Sequence, residues 1–406
     1  MSGSATDRRL FRKRTVRDVD PGGKRVLVRV DFNVPLDRDG KRVSVAEDGR
    51  IRAALPTIEH LRDREARLVL VSHLGRPRDR EPELSMAPVS ARLGELIGAE
   101  VRQAPAVIGP DVEQAAAALA PGDVLVLENS RFEPGETKND PQLSDALSRL
   151  ADLYVDDAFG AVHRVHATTV GVAERLPAVA GFLLEREVTM LSGLLEDPGH
   201  PFVVVLGGAK VSDKIGVIER FLEIADAILI GGAMCFSFFR AQGLPTGDSL
   251  VEEEGVEPAR RALERAQRSS CELELPVDLV VADRVAADAE WRQLDGVEVP
   301  DGWMGLDIGP RTARAYAERI SQAGTVFWNG PMGVFELEPF AAGSRAVAEA
   351  LASCPGTTVV GGGDSAAAIE HFGHASSVTH VSTGGGASLA LLEGKPLPGV
   401  EVLDDA

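Results

Sequence analysis

TTVVGGGDSAAAIEHF (Thr357–Phe372) and THVSTGGGASLALL (Thr379–Leu392) contain the same three parts in the same order. Each begins with a short β-branched run, continues with three glycines and ends in residues that favour a helix. Glycine lets the backbone turn sharply and approach a ligand closely. The helix that follows begins with free N–H groups and the positive end of its dipole. Both stretches therefore predict strand–turn–helix units that can bind phosphate.

An acidic residue, Asp364, directly follows the first glycine run. A carboxylate beside phosphate makes sense if Mg²⁺ bridges the two, so we predict a Mg-nucleotide site. The alternative is that the glycines only allow a helix to pack on a sheet, but the repeat of the unit and the acid favour phosphate binding. Neither stretch is a Walker loop, and neither carries the fingerprint of a dinucleotide site.

The composition predicts two globular domains and disfavours several classes of protein. The chain has 406 residues, of which 44% are hydrophobic and 26% charged. A net charge of −19 argues against a nucleic-acid binder, so a local basic cluster must attract any anionic substrate. The three cysteines have no metal-ligand spacing, and their sparse use favours a reducing cytoplasm. The basic N-terminus lacks a secretory apolar segment, and the most apolar stretch, 227–239, is too short to span a membrane.

Short apolar runs alternate with amphipathic helical stretches along the whole chain. The predicted strands cover 26–32, 68–74, 124–132 and 153–159, then 202–208, 227–232, 278–283, 325–330 and the two glycine units. This alternation predicts parallel sheets with helices on both faces. A long helix after Gly181 separates the halves. We therefore expect an α/β protein of two doubly wound (Rossmann-like) domains, joined by a helix and hinge.

Basic residues of the first half follow the ends of predicted strands or open the helices after them. Because the carboxyl ends of parallel strands meet at one edge, these side chains should lie together. Taken singly, each arginine could be solvated and each histidine could satisfy a local hydrogen bond. Their shared position favours an anion site, in which arginine binds phosphate or carboxylate and Asp31 and Asn33 bind hydroxyls. The set comprises Arg29, Arg50, His73, Arg76, Arg131, His163, Arg164 and His166.

In the second half, GGAKVSDK places Lys210 and Lys214 between a strand and a helix. Two further loops rich in glycine and proline, at 302–310 and 328–336, flank predicted strands, and Glu336 in the second is suited to ribose hydroxyls. Together with the glycine units, these stretches predict a nucleotide pocket.

These stretches together resemble the phosphoglycerate kinase family. RVDFNVP, SHLGRP, GGAKVSDK, GWMGLDIGP, WNGPMGVFE, GGGDS and VSTGGGASL follow one another in the family's order, and the resemblance covers nearly the whole chain. It implies reversible phosphoryl transfer between 1,3-bisphosphoglycerate and ADP, giving 3-phosphoglycerate and ATP, in glycolysis and gluconeogenesis. It also implies Mg²⁺ as cofactor, small-molecule substrates without nucleic acid or membrane, and a cytoplasmic monomer.

The resemblance also assigns roles to residues. It implies a substrate-binding set of Arg29, Asp31, Asn33, Arg50, His73, Arg76, Arg131 and Arg164. The nucleotide-binding set is Lys210, Lys214, Gly305, Asn329, Glu336, Gly361, Gly362, Gly363, Asp364 and Ser365, with Asp364 as the Mg²⁺ ligand. Arg50, Lys210, Gly362 and Gly363 form the catalytic set. No general base is expected, because the acceptor carboxylate is already ionised near neutral pH.

The resemblance further divides the chain into functional parts. It implies that 1–182 bind 3-phosphoglycerate, that 183–392 bind the Mg-nucleotide and that 393–406 return to the first domain, with a hinge at 183–188. Ser365 stands where the family usually has threonine, and Asp156 where it has asparagine.

Two other functions compete with this assignment. A non-catalytic scaffold is disfavoured because Arg50, Lys210 and Asp364 are all present. A dinucleotide-dependent oxidoreductase is disfavoured because the chain lacks the dinucleotide fingerprint.

Overall fold

A computed structural model describes residues 11–40 and 42–406. Residues 1–10 lie outside the described residues. They include the start of the basic N-terminus and of the predicted first domain. The chain divides into two compact units, of which the first ends at Thr189 and also includes Pro396–Ala406, and the second is Met190–Lys395. The functional boundaries at 182 and 392 stay a prediction.

The first unit is built on a six-stranded sheet in which every strand pair is parallel. The strands of the unit are β1 Arg25–Arg29, β2 Leu36–Asp39, β3 Arg42–Val45, β4 Arg67–Val71, β5 Val101–Gln103, β6 Val124–Val126, β7 Leu153–Asp156 and β8 Ala178–Ala180. The sheet has the order β5-β6-β4-β1-β7-β8, and β2 and β3 form a separate antiparallel hairpin.

Helices cover this sheet and bury its valine and leucine side chains. They are α1 Gly49–Arg62, α2 Ala87–Ile97, α3 Pro110–Ala117 and α4 Pro141–Ser148. Short 3-10 turns lie at Pro82–Leu84, Ser130–Phe132, Glu136–Lys138 and Phe159–Ala161, and a π-helical turn lies at Ala167–Gly171. A longer helix, α5 Phe182–Glu196, contains the boundary between the units, as the sequence predicts.

The second unit repeats the plan with a six-stranded parallel sheet. Its strands are β9 Phe202–Leu206, β10 Ala227–Ile230, β11 Glu272–Glu274, β12 Leu279–Ala282, β13 Trp291–Leu294, β14 Met304–Ile308, β15 Thr325–Asn329, β16 Thr357–Val360 and β17 His380–Val381. Its parallel sheet has the order β11-β10-β9-β15-β16-β17. Its helices are α6 Ile215–Ile224, α7 Cys235–Ala241, α8 Glu253–Ala266, α9 Pro310–Ser321, α10 Ala342–Ser353, α11 Gly363–His371 and α12 Gly386–Leu392, with 3-10 turns at Glu338–Phe340 and Ala375–Ser377. The last helix, α13 Pro398–Glu401, belongs to the first unit.

The predicted fold class is confirmed, with three local corrections. The run at 278–283 is not in the main sheet, since β12 pairs antiparallel with β13 and β14. The connection from Ala282 to Trp291 is too short for a parallel crossover. The loop predicted at 302–310 contains β14, and the strand predicted at 124–132 ends at Val126. After it, the Asn129 side chain accepts from Arg131 N and caps a 3-10 turn.

Both glycine units form the predicted strand–turn–helix arrangement. The first connects β16 to α11 and the second connects β17 to α12. No helix within 11–40 and 42–406 is both long enough and apolar enough to cross a membrane.

Candidate active site

The predicted basic cluster of the first unit comes together at the carboxyl edge of its sheet. Arg29 is the last residue of β1, and His73 follows β4 by two residues. The pKa of His73 lies well below its usual value, first because the ring is buried and then because Arg29, Arg131, Arg164 and, last of the four, Arg50 repel a further positive charge. Four arginines from separate parts of the chain therefore act on one imidazole.

Arg29 holds the neutral form of His73. The arginine is 1% exposed, and its Nη2 lies 3.0 Å from His73 Nδ1. A guanidinium can only donate, so His73 Nδ1 accepts and the ring proton is on Nε2. The Nη1 group of Arg29 donates to the carbonyl of Val30, which fixes the plane of the guanidinium. His73 Nε2 thus remains as a neutral donor.

The loops after β1, β4 and β7 are linked by polar contacts. Asp31 accepts a hydrogen bond from the guanidinium of Arg50, the second residue of α1. The Asn33 side-chain oxygen accepts from Gly75 N at 2.7 Å. A Cβ on Gly160 would lie 2.6 Å from Asp31 Oδ2, so only glycine lets this loop approach the carboxylate. These contacts position Arg50 and Asn33 relative to the loop of His73.

Three of the predicted arginines line one cavity. Arg76, Arg131 and Arg164 border a space of about 570 Å³, which His166 and Arg78 also line. Burial is the first cause that lowers the pKa of Arg131, and repulsion from Arg164 and Arg29 follows. Crowded cations of this kind can be neutralised by a multiply charged anion such as phosphate.

In the second unit, the turn at Gly361–Gly363 has the geometry that its glycines allow. Gly362 adopts φ of +89° and precedes α11. A Cβ on Gly361 would lie 2.8 Å from the Phe327 ring, so the chain could not take this path with a side chain there. Asn329 Nδ2 donates to Gly361 O at 2.8 Å and holds the turn against the end of β15. Asp364 is exposed in the first turn of the helix.

The two predicted lysines occupy different environments. Lys214 is 8% exposed, and its Nζ donates to Gly207 O at 2.5 Å and to Asn329 O at 2.9 Å. Burial lowers its pKa to about 8, although Asp364 acts in the opposite direction. Lys210 is exposed in the preceding loop. Lys214 therefore has one donor left for a ligand, whereas Lys210 is free to move toward one.

Ser365 also connects two parts of the site. It is 1% exposed, and its Oγ accepts from Gly330 N. A Cβ on Gly330 would in turn lie 2.6 Å from Lys214 Nζ. The ends of β9 and β15 and the start of α11 are thus packed around one lysine.

Comparison with known proteins decides the family. The model of the family described as phosphoglycerate kinase matches residues 16–395. The chain belongs to the phosphoglycerate kinase family.

Relatives and solved structures agree with this family. A phosphoglycerate kinase of Roseiflexus sp. (strain RS-1) is 55% identical over 97% of this chain and 100% of its own length. One of Rubrobacter xylanophilus is 56% identical over 97% and 98%. The solved phosphoglycerate kinase structures from Coxiella burnetii and Pyrococcus horikoshii OT3 superpose with TM-scores of 0.84 and 0.85, at 39% and 33% identity, each covering 96% of this chain and 98% of the other.

Membership of the phosphoglycerate kinase family fixes the reaction. The protein transfers a phosphoryl group between ATP and the carboxyl group of 3-phosphoglycerate, reversibly, as a step of glycolysis. Its substrates are small molecules. The roles of individual residues in this reaction stay a prediction.

Two further residues of the predicted nucleotide site lie outside the glycine turn, in β14 and in the loop after β15. Gly305 is buried in β14, where a Cβ would collide with Phe236, and its N–H donates to Ser249 Oγ at 2.9 Å. Glu336 is exposed on the loop after β15. In the described ranges, no hydrogen bond ties the side chains of Glu336 or Lys210 to the turn at Gly361–Gly363.

Asp364 is the carboxylate predicted to hold the metal. Within the described part of the chain, no three His, Cys, Asp or Glu side chains come together as a metal site. Mg²⁺ bound with a nucleotide needs only one or two carboxylates, because phosphate oxygens and water supply the other ligands. The exposed Asp364 at the start of α11 fits that requirement.

Sequence reasoning missed two groups of residues at these sites. The first group is Gly207, Gly232 and Gly330, which let the backbones of three loops come into contact. The glycines that follow β9, β10 and β15 in the sequence could have indicated this close approach. Glu136 and Thr168 form a buried pair below the basic cluster. No pattern in the sequence relates those two residues.

Proposed function

We propose that the first unit binds 3-phosphoglycerate and that the second unit binds the magnesium complex of ADP or ATP. The observation that carries this proposal is the group of arginines around a neutral, buried His73 in a chain of net charge −19. A cluster of like charges is costly unless an anion neutralises it. Arg76, Arg131 and Arg164 would bind the substrate phosphate, and Asp31 and Asn33 the glycerate.

The nucleotide would bind along the carboxyl edge of the second sheet. Lys210, Lys214 and the N–H groups at the start of α11 would contact its phosphates, and Glu336 would accept from the ribose. Gly305 would lie beside the adenine. Asp364 would hold Mg²⁺, which when bound neutralises charge on the phosphates.

Arg50 and Lys210 would bind the oxygens of the phosphoryl group that moves. Loose transition states spread negative charge over those oxygens, so fixed cations lower the barrier. Asp31 would orient Arg50, whose guanidinium donates to it. Gly362 and Gly363 would let the N–H groups of α11 approach the same group.

The remaining features of the proposal concern the whole molecule. Donor and acceptor must lie in line, so the substrates bound by the two units must be brought together, with the hinge at Leu183–Val188 within α5. We also propose a monomer that works in the cytoplasm. Small-angle scattering with both substrates tests closure, and light scattering tests the monomer; no compaction, or a dimer mass, would contradict these points.

The test of the residue roles is steady-state kinetics with ATP, Mg²⁺ and 3-phosphoglycerate, coupled to reduction of the acyl phosphate. Arg50→Ala and Lys210→Ala should each lower kcat by at least about 10²-fold. Arg52→Ala is the matched control for the first, because Arg52 lies on the same helix, is exposed and binds Asp48. Lys395→Ala, which removes an exposed lysine beside Glu393, is the control for the second. Native kcat in either test variant would refute its role.

A further inference from the structure

Glu136 is a buried carboxylate close to a cluster of arginines, yet its two side-chain oxygens accept hydrogen bonds from one threonine, Thr168. The side chain is 1% exposed. Its Oε1 accepts from Thr168 Oγ1 at 2.6 Å, and its Oε2 accepts from Thr168 N at 3.1 Å. The ring of His166 lies 3.8 Å away, but burial lowers the pKa of His166 to about 4, so that ring is neutral. A carboxylate in such surroundings needs compensation by positive charge.

The Thr168 hydroxyl connects this carboxylate to Arg29. Arg29 Nε donates to Thr168 Oγ1 at 3.0 Å. A hydroxyl has one proton to give, and here it goes to Glu136, so the oxygen lone pairs face the guanidinium. Each hydrogen bond in this series has a charged group at one end, which strengthens it. The direction of the whole series is therefore fixed.

The other edge of the same guanidinium faces His73. Arg29 Nη2 lies 3.0 Å from His73 Nδ1, and Thr168, Arg29 and His73 are 0%, 1% and 7% exposed. Arg29 is thus held on one side by Thr168 and on the other by the imidazole that it keeps neutral. Any rotation of the guanidinium would break one of the two contacts.

We infer that Glu136, acting through Thr168 and Arg29, is a positioning residue that holds His73 with its Nε2–H directed to a bound anion. This inference rests on the proposed function of the cluster as the 3-phosphoglycerate site. Glu136 itself contacts no substrate. Its charge stabilises Arg29 in one orientation, and it also acts favourably on the charge of Arg131.

Thr168→Val is the sharpest test, because it removes the hydroxyl and keeps the shape. The KM for 3-phosphoglycerate should rise about tenfold, the cost of about 1.4 kcal/mol of lost orientation. The KM for MgATP should stay within about twofold, and Thr168→Ser should restore the native KM for 3-phosphoglycerate. Glu136→Gln should raise the same KM severalfold.

Thr312→Val is the matched control in the second unit. Thr312 is also buried, at 2% exposure, and its Oγ1 donates to Asp278 Oδ1 at 2.5 Å. Thr312→Val thus removes a buried hydrogen bond from a threonine hydroxyl to a carboxylate, as Thr168→Val does. An equal rise in the KM for 3-phosphoglycerate in this variant would show a general loss of stability and overturn the inference.

Arg164→Ala separates the inference from the function on which it rests. A higher KM for 3-phosphoglycerate in Arg164→Ala, with native values in Thr168→Val and Glu136→Gln, would overturn the positioning role alone. Native values in all three would overturn the proposed substrate site as well.

The native enzyme offers a test that requires no variant to fold well. Long-range ¹H–¹⁵N correlation at pH 7 should show His73 with an unprotonated Nδ1 and a protonated Nε2, with His73→Asn used only to assign the signal. A proton on Nδ1, in the neutral or the charged ring, would overturn the inference. If Thr168→Val does not fold, the KM of Glu136→Gln for 3-phosphoglycerate and this spectrum decide whether the inference holds.

Discussion

Replacing Asp157 by asparagine should stabilise the first unit at neutral pH, because it removes a buried carboxyl group that the unfolded chain would ionise. Asp157 directly follows β7 and is fully buried. Its Oδ1 accepts from Leu183 N at 2.8 Å and from Leu184 N at 3.2 Å, in the first turn of α5. Burial raises the pKa of this carboxyl to about 8, and hydrogen bonds from Thr57 and the two N–H groups offset only part of that effect.

The size of the effect follows from the two pKa values. The pKa of the folded carboxyl is about 8 and the ordinary pKa of an aspartate is 3.8, so between these pH values the folded state keeps a proton that the unfolded chain releases. Stability therefore falls as pH rises through this window, by about 1.4 kcal/mol per pH unit. The loss reaches about 4 kcal/mol at pH 7.

Asparagine removes this loss because it does not titrate. Its oxygen can still accept from Leu183 and Leu184, but its amide adds a buried donor, which costs about 1–3 kcal/mol if it finds no partner. Asp157→Asn should then be about 1–3 kcal/mol more stable than the native protein at pH 7. The difference should shrink by about 1.4 kcal/mol for each pH unit down to pH 5.

Hydrogen exchange of the β1 and β7 amides at pH 5, 6 and 7 measures this difference in the right unit. All three tryptophans lie in the second unit, so their fluorescence reports on the other part of the chain. Asp152→Asn is the control, because its hydrogen bond with Arg25 lowers the pKa of Asp152. The stabilising effect of Asp152 is constant above pH 5. The Asp152→Asn variant should therefore lose the same amount of stability at all three pH values. A pH-independent difference for Asp157→Asn would refute the reasoning.

Three further predictions concern the nucleotide site. Gly362→Ala forces φ of +89° on a side chain whose Cβ would lie 2.9 Å from Asn329 Nδ2. It should raise the KM for MgATP and lower kcat while calorimetric binding of 3-phosphoglycerate stays native, and impaired 3-phosphoglycerate binding would contradict this. Ser365→Thr should keep kcat and the KM for MgATP within about threefold, because a hydroxyl still accepts from Gly330 N; a tenfold loss would show that the extra methyl group matters. Removal of Mg²⁺ with EDTA should abolish turnover but leave binding of 3-phosphoglycerate intact in the same calorimeter. Loss of that binding would place the metal outside the nucleotide site.

Local sequence signals predicted the fold well where the chain follows simple rules. The glycines at Gly361–Gly363 predicted a turn before a helix, and the structure has φ of +89° at Gly362, where only glycine is unstrained. The basic residues were expected together because parallel strands all end at one edge of a sheet. The order of strands and helices is enough to predict a shared edge. Arg29 and His73 were therefore expected in one group, and their side chains do lie in contact.

Contacts between distant segments were beyond such signals. Glu136 and Thr168 lie on two separate turns, and nothing in either turn indicates that the carboxylate is buried. The burial of Lys214 was also missed, because a lysine after a glycine loop is usually exposed and here two carbonyls happen to face it. The antiparallel pairing of β12 with β14 requires the chain to reverse its direction between the two strands, and the composition of the strands does not indicate this reversal.

The placement of the buried carboxylates suggests how an acidic chain maintains an anion site. Asp31 accepts from Arg50, and Glu136 reaches Arg29 through Thr168, so two cations of the cluster have a negative group close by. The pKa of Arg131 is nevertheless lowered, first by burial and then by the charges of Arg164 and Arg29, and Glu136 offsets only part of this effect. The partial neutralisation helps the cluster to fold, and a phosphate bound at the proposed site would relieve the remaining repulsion around Arg131. The net charge of −19 acts over longer distances, which salt screens beyond about 8–10 Å. We therefore expect substrate affinity to depend on which arginines have a carboxylate partner, rather than on the charge of the chain as a whole.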